Sequence, residues 1–273
     1  MRGRQSRRSW ATVLAALLVA APLAAGSAQG GRGGQPQGGA PPTPRAAAPI
    51  DLTGYWVSVV TEDWRWRMLT PAKGDVVGIP LTKEGLATAE AWDSAKDEAV
   101  GEQCKGYGAP GLMRLPGRLH ITWQDDQTLK VDMDYGTQTR LLRFPAASGT
   151  SVRAAGPRTW QGNSAAQWES AAAGARGRGR GAAGTPPGRF GSLTVTTTNL
   201  RPGYLRKNGV PYSADATLKE YWDLLTARSG EDWLVITSIV HDPKNLQIDW
   251  VTSLNFKREP DGSKWDPEPC SVR

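Results

Sequence analysis

Four side chains in this sequence could together perform acid–base or electrostatic chemistry. His241 and Asp242 are adjacent, and Glu220 and Arg140 each stand among apolar residues. An imidazole, carboxylates and a guanidinium at a cavity mouth would suit a hydrolase or an isomerase. The spacing is not diagnostic, because Asp242 followed by Pro243 is more simply explained as a turn. An enzyme that uses these four residues is therefore one hypothesis, and no catalytic residue is assigned.

Arg140 and Glu220 are informative because they fall on strand faces that should be buried. Glu220 alternates in phase with Leu218 and Trp222, and Arg140 alternates in phase with Leu142. A charge inside a protein must be paired or must face a wet cavity. We predict that both side chains point into the interior of a sheet, either as a pair or towards a polar ligand. The alternative is an exposed pair on a sheet with two wet faces.

Two tryptophans, Trp64 and Trp66, lie outside the regular alternation of the strands. In an extended segment over residues 64–67, their indoles would share one face and two arginines the other. Amphipathic rings of this kind stack on sugars or cover the mouth of a binding site, although packing against a core is the simpler role. The full set of ligand-binding candidates is Trp64, Trp66, Arg140, Glu220, His241 and Asp242.

The sequence predicts neither a metal site nor a cofactor. It contains only two histidines, His120 and His241, whereas a catalytic metal usually takes two or three His or carboxylate ligands. It has no nucleophile elbow, zinc-type His pair or phosphate loop. The first hypothesis is therefore a non-catalytic barrel that binds a small or lipidic molecule.

The elements that would position these residues are mainly β-strands. Residues 119–144 alternate as a three-strand meander with short turns. Other segments with strand character are 57–61, 160–169, 189–199, 214–226, 232–241 and 248–257. An antiparallel set of eight or nine strands closes into a barrel or splits into a sandwich, and we predict a single barrel-like domain over residues 50–273.

One helix is predicted between the first strand and the meander, over about residues 82–100. Thr82 can cap its first turn, and the apolar stripe is Leu86, Ala89 and Trp92. Gly-x-Trp at residues 54–56, just before the first strand, resembles the opening of lipocalin-type barrels. The resemblance implies that Trp56 plugs one end of a barrel.

The N-terminal region reads as an export leader followed by a tether. Residues 1–28 combine four arginines, an apolar run over 11–25 and a small-residue cleavage site. The apolar run is shorter than the roughly 20 residues that a bilayer span needs. The alternative to a cleaved leader is an uncleaved membrane anchor. Residues 6–10 resemble a twin-arginine signal but depart from it after Trp10. We therefore predict a periplasmic or extracellular location, with a disordered Gly/Pro-rich tether at 29–49.

Net charge excludes nucleic-acid binding by the folded domain. The chain carries a formal charge of +7. Ten of its arginines lie in residues 1–45 and 170–189, and these two segments contain no acidic residue. The rest of the chain has 23 basic and 26 acidic residues. A nucleic-acid binder carries its positive charge on the fold. The insert at 170–189 is predicted to be disordered, and its Gly-Arg run is a candidate for contact with an envelope surface.

Two cysteines, Cys104 and Cys270, predict one disulfide in an oxidising compartment. It would pin the C-terminal tail to the segment before the meander. A reactive thiol or metal pair is the alternative, but no histidine lies near either residue in sequence.

Several stretches together resemble an uncharacterised family of exported bacterial proteins. They include the Cys104 loop, residues 160–162 and 209–213, His241-Asp242-Pro243 and the terminal Cys270. The Gly-Arg insert after Glu169 departs from that pattern. No activity comes with the resemblance, so it implies only a calycin-type β-barrel appearance and an exported location.

Overall fold

The computed structural model describes residues 41–145, 156–170 and 191–272, which fold mainly into strands. The strands are β1 (Gly54–Val59), β2 (Arg118–Asp125), β3 (Thr128–Met133), β4 (Tyr135–Gly136), β5 (Gln138–Arg143), β6 (Asn163–Ser170), β7 (Gly191–Thr198), β8 (Gly203–Arg206), β9 (Val210–Tyr212), β10 (Thr217–Thr226), β11 (Asp232–His241), β12 (Trp250–Glu259) and β13 (Glu268–Pro269). The helices are α1 (Trp64–Arg67), α2 (Lys83–Ala91), α3 (Ser94–Ala99) and α4 (Ala109–Leu112), with a 3₁₀ helix over Gln103–Tyr107.

Nine of these strands close into a barrel, as the alternating pattern predicts. Around the barrel they follow the order β1-β12-β11-β10-β7-β6-β5-β3-β2. Every neighbouring pair is antiparallel except β5 and β6, which pair in parallel through Leu142 with Ser164 and Arg143 with Ala165. The first and last barrel strands pair directly, with Trp56 opposite Arg258, so the barrel has no free edge.

The barrel interior holds two apolar clusters separated by a polar layer. On β10, Leu218 belongs to one cluster and Trp222 to the other, with Glu220 between them. On β11, Val240 and Ile236 flank Ser238 in the same way. Trp222 and Ile236 have no surface accessible to a water-sized probe. A void large enough for water beside them would give them such surface. The interior around them is therefore closely packed.

One end of the barrel, here called the capped end, is where β1, β3, β7 and β11 finish. Residues 60–117 and the β8–β9 hairpin cover it. Part of the covering segment packs on barrel residues in a cluster that includes Leu81, Ala89, Leu205, Tyr212, Leu218 and Trp250. Its residues Tyr107, Leu112 and Met113 belong to the other cluster. Gly209 turns the hairpin with a φ of 85°, a backbone conformation that glycine adopts without strain.

Trp56 is fully buried near the opposite end of the barrel. Its indole N–H donates to the Leu52 carbonyl at 2.9 Å, and the Arg258 guanidinium lies 4.1 Å from the centre of its ring. Arg258 also donates to the carbonyls of Asp51 and Thr53. These contacts fasten the segment that enters β1 to the last barrel strand.

The single helix predicted over 82–100 is wrong in its length, and of its predicted apolar stripe Ala89 is buried but Leu86 is not. It is two helices, α2 and α3, each with a side-chain cap from Thr82 or Asp93. Leu86 is 37% exposed, whereas Gly85 and Ala89 are buried. Gly85 packs against the turn after β11: a Cβ at this position would lie 2.6 Å from the Asn245 carbonyl oxygen, so only glycine fits.

Three other segments differ from the sequence predictions. Residues 64–67, expected to be extended, form the helical turn α1. The strand predicted over 248–257 begins at Trp250 as β12, and Ile248 is 70% exposed. Residues 41–49 of the predicted tether form turns beside the barrel, where the Trp168 indole donates to the Pro44 carbonyl at 2.8 Å.

The predicted signal peptide, the tether up to residue 40 and the Gly-Arg insert from residue 171 lie outside the described residues. Within the described part of the chain, no helix has the length and apolar character needed to cross a membrane.

Candidate ligand-binding site

Arg140 and Glu220 both lie inside the barrel and pair with each other. The two Nη atoms of Arg140 donate to the two carboxylate oxygens of Glu220, at 3.0 Å and 2.6 Å. Both side chains are completely buried. Of the two arrangements predicted for these residues, the structure has the pair. Their predicted role in ligand binding stays a prediction.

The polar layer around this pair is made of hydroxyl groups on neighbouring strands. Arg140 Nη2 donates to Thr197 Oγ1 at 3.3 Å, and Thr197 is 2.8 Å from Ser164 Oγ. Ser238 faces Glu220 across the β10–β11 pair and is 5% exposed. Arg140 Nε is buried without a partner among the described residues. The layer is thus a nearly satisfied polar network rather than an open cavity.

His241 points away from the barrel interior. It follows Val240, which is buried, and its own side chain is 58% exposed. Its Nδ1 lies 2.7 Å from Asp249 Oδ1, so its nearest acidic partner is another exposed residue. His241 therefore does not join the buried Arg140–Glu220 pair.

Asp242 organises the turn that the Asp-Pro step predicts. Its carboxylate accepts hydrogen bonds from Ser213 N and Oγ at 2.7 Å, from Asn245 Nδ2 at 2.9 Å and from Lys244 N at 3.1 Å. Burial alone would raise the pKa of Asp242, but these hydrogen bonds outweigh it and lower the pKa below its ordinary value. The carboxylate is occupied in joining the β11–β12 turn to the segment before β10.

Asp242→Asn is expected to lower the free energy of unfolding at pH 7 by about 2–3 kcal/mol, because the amide nitrogen cannot accept the donated hydrogens. A carboxylate with a depressed folded pKa adds stability above its unfolded pKa of about 3.9 and loses it as the pH falls through the folded value. Urea denaturation should therefore show the gap between wild type and variant closing below about pH 4. Asp249→Asn, at an exposed site, is the control, and a gap constant with pH would contradict this role.

The four residues of the enzyme hypothesis are not brought together. Glu220 and Arg140 form a buried pair, Asp242 is in a saturated turn, and His241 faces outward. No group of three His, Cys, Asp or Glu residues with metal-binding geometry occurs in the described ranges.

Trp64 and Trp66 lie at the capped end but have different surroundings. Trp64 is 65% exposed, whereas Trp66 is half-buried and its indole donates to Asp75 Oδ1 at 3.0 Å. The Arg206 guanidinium lies 5.3 Å from the centre of the Trp66 ring. Of the two predicted aromatics, Trp66 therefore lines a built site.

That site is a cleft between residues 66–71 and the β8–β9 hairpin, here called the arginine cleft. No Asp or Glu is among its described lining residues. Four cationic side chains line it: Arg67, Arg114, Arg206 and Lys207. Their residue exposures lie between 4% and 9%. Its cavity volume is about 30 Å³.

Arg67 and Arg114 have acidic partners outside the cleft lining. Arg67 pairs with Glu62, donates through Nε to the Arg114 carbonyl at 2.8 Å and through Nη2 to Ser58 at 3.1 Å. Arg114 Nη2 donates to Asp63 at 2.8 Å, while its Nη1 is buried without a partner. Burial lowers the pKa of Arg67 to about 10, so it is still charged at neutral pH.

Arg206 and Lys207 have no carboxylate partner within 4.0 Å among the described residues. Arg206 is 6% exposed, and its Nε and Nη1 are buried without an acceptor. Burial lowers the pKa of Arg206 to about 10, which also leaves it charged at neutral pH. Lys207 Nζ donates to Ser271 Oγ at 3.1 Å and lies over the rings of Tyr107 and Tyr135.

The predicted disulfide is present, with 5.2 Å between the Cα atoms of Cys104 and Cys270. It ties the tail to the 3₁₀ helix, whose Gly106 lines the arginine cleft. The tail also pairs with the barrel loop, because β13 lies parallel to β4.

Sequence reasoning did not find Arg114, Arg206 or Lys207. They lie in aperiodic stretches of Gly and Pro residues, and only the fold places them together. The only signal available in the sequence was the presence of arginine and lysine in loop segments, which could have been considered together with Trp66. Comparison with protein-family models, with curated proteins and with solved structures finds no match to this chain.

Proposed function

We propose that this chain is an exported, non-catalytic binding protein for a small or lipidic molecule, and that the molecule binds in the arginine cleft. The observation that carries the proposal is a set of buried hydrogen-bond donors, on Arg114 and Arg206, that have no acceptor among the described residues. Buried donors are normally paired, because an unpaired one costs about 1–3 kcal/mol. A bound molecule would supply the missing acceptors.

The position of the cleft supports this choice over the barrel interior. Interior side chains such as Trp222, Ile236 and Phe256 are packed without accessible surface, so a molecule there would have to displace them. The cleft instead opens beside Met68 and Leu69, which are 52% and 76% exposed. A ligand can therefore enter between the covering segment and the hairpin without opening the barrel.

The export part of the proposal rests on two features. Residues 1–28 have the composition of a signal peptide. The disulfide between Cys104 and Cys270 suits an oxidising compartment outside the cytoplasm.

Protein purified from its own host is expected to carry a small molecule in a one-to-one ratio, visible as added mass in native mass spectrometry. Trp66→Leu removes one wall of the cleft and should lower the occupied fraction, because the indole also supports Arg206. Trp160→Leu is the matched control, since Trp160 likewise lies under an arginine, Arg201, at 4.5 Å. Protein without retained mass, and equal occupancy in both variants, would each count against the proposed site.

A further inference from the structure

The geometry points to an oxyanion group, a carboxylate or a phosphate, as the part of the ligand that the arginine cleft binds. This inference rests on the function proposed above and names the chemical class of its ligand. It comes from the donors, the charges and the size of the cleft.

The unpartnered donors of the residues that line the cleft are all guanidinium N–H groups. They are Arg114 Nη1, Arg206 Nε and Arg206 Nη1, all within residues at least nine-tenths buried. A guanidinium presents neighbouring N–H groups in a rigid fork that matches two oxygens of a carboxylate or phosphate. In Arg206, Nη2 forms such a fork with Nε on one side and with Nη1 on the other, so an oxyanion bound at either fork also takes one of the unpartnered groups. A neutral hydroxyl or an ether oxygen would satisfy one of them at a time.

Trp66 holds Arg206 in a way that leaves this fork available. The guanidinium carbon lies over the indole ring, 5.3 Å from its centre, which is a cation–π contact. The indole ring offers no carbonyl or carboxylate oxygen, so Nε and Nη1 of Arg206 still lack an acceptor. The contact therefore positions the cation without neutralising it.

The charge balance of the cleft also calls for an anion. Glu62 and Asp63 pair with Arg67 and Arg114, but no carboxylate of the described residues lies within 4.0 Å of Arg206 or Lys207. Asp63 and Asp75 act on the Arg206 charge only from a greater distance. A buried unpaired cation is costly, and a bound anion removes that cost. A cationic ligand would add to the repulsion, and a neutral one would leave it unchanged.

The volume limits what enters the cleft to a small group. About 30 Å³ is room for roughly two water-sized groups, by the measure that one water needs about 10–15 Å³. A carboxylate, or two of the oxygens of a phosphate, fits such a space, whereas a whole lipid does not. The oxyanion can come from a free small anion or from the head group of a lipid whose chains stay outside, near Met68 and Leu69.

The test is titration of the full chain, at constant ionic strength, with inorganic phosphate, with acetate, and with phosphatidylcholine vesicles with or without phosphatidic acid. Calorimetry and thermal denaturation report binding. Arg206→Met removes the fork and its charge and should weaken phosphate or phosphatidic acid binding at least about tenfold, as expected for one lost charge-assisted hydrogen bond. Lys207→Met is a second variant that should weaken the same binding.

Arg201→Met is the matched control, because Arg201 also stacks on a tryptophan but is half-exposed and paired with Glu102. In phosphate-free buffer, Arg206→Met should unfold at the same or a higher temperature than wild type, since it removes an unpaired buried charge. Phosphate should then raise the melting temperature of wild type and of Arg201→Met, but not of Arg206→Met.

The outcomes separate the two ligand sources and the two proposals. Binding of free phosphate or acetate indicates a small anion, and binding only of vesicles with phosphatidic acid indicates a lipid head group; both support the inference. Equal binding by wild type and Arg206→Met overturns it. Native mass spectra could instead show a neutral retained molecule that Trp66→Leu loses and Arg206→Met keeps. That result would support the proposed function and would contradict the oxyanion as the ligand class.

Discussion

Glu220→Gln is expected to lower the free energy of unfolding by about 3–5 kcal/mol, the cost of leaving one member of a buried ion pair alone. Glu220 and Arg140 are both fully buried and share two hydrogen bonds. In the variant, the Arg140 charge would stay in the polar layer without a carboxylate. Guanidinium denaturation, monitored by tryptophan fluorescence, measures the loss.

The double variant Arg140→Met/Glu220→Leu should recover most of this stability, because it leaves no unpaired charge in the interior. Glu231→Gln is the control for removing a carboxylate from an exposed pair, here the pair with Lys257, and should leave the unfolding midpoint nearly unchanged. A Glu220→Gln variant as stable as this control would show that the pair does not hold the barrel interior together.

Removing the disulfide is expected to have the other large effect. Cys104 and Cys270 are 166 residues apart in sequence, so their bond closes most of the folded chain into a loop. In the chain-entropy model, a loop of this length corresponds to an upper value of about 5 kcal/mol. Cys104→Ser/Cys270→Ser should lose stability by up to this amount in urea denaturation.

Reduction provides the control for this experiment. Dithiothreitol should lower the free energy of unfolding of wild type to that of the serine variant, and it should leave the value of the variant unchanged. If both proteins unfold at the same urea concentration without reductant, the bond contributes little, and the β13–β4 pairing alone would hold the tail.

The strands could be predicted because their signal is local. Apolar and polar residues alternate without a break over 129–133, and β3 buries Leu129, Val131 and Met133. The same alternation identified Arg140 and Glu220, since a charged residue in phase with buried neighbours has to face inward. Where a turn interrupts the pattern, as at Ile248, the predicted strand begins two residues too early.

The arginine cleft could not be predicted because it depends on contacts across the fold. Arg114 follows a short helix, Arg206 ends a hairpin strand, and Trp66 lies in a helical turn read as extended. None of these segments has a period that fixes a face. Trp56, predicted just before the first strand, lies within β1 and is fully buried, but a ligand inside the barrel does not fit the close packing around Trp222.

Pairing of the first barrel strand with the last has a consequence for how the protein is made. Trp56 pairs with Arg258, so the barrel cannot close until residue 258 has left the ribosome. Closure is therefore governed by a contact between distant parts of the sequence, which slows folding. Nascent chains would expose unpaired strand edges for the duration of synthesis, a state in which chaperones bind and aggregation begins.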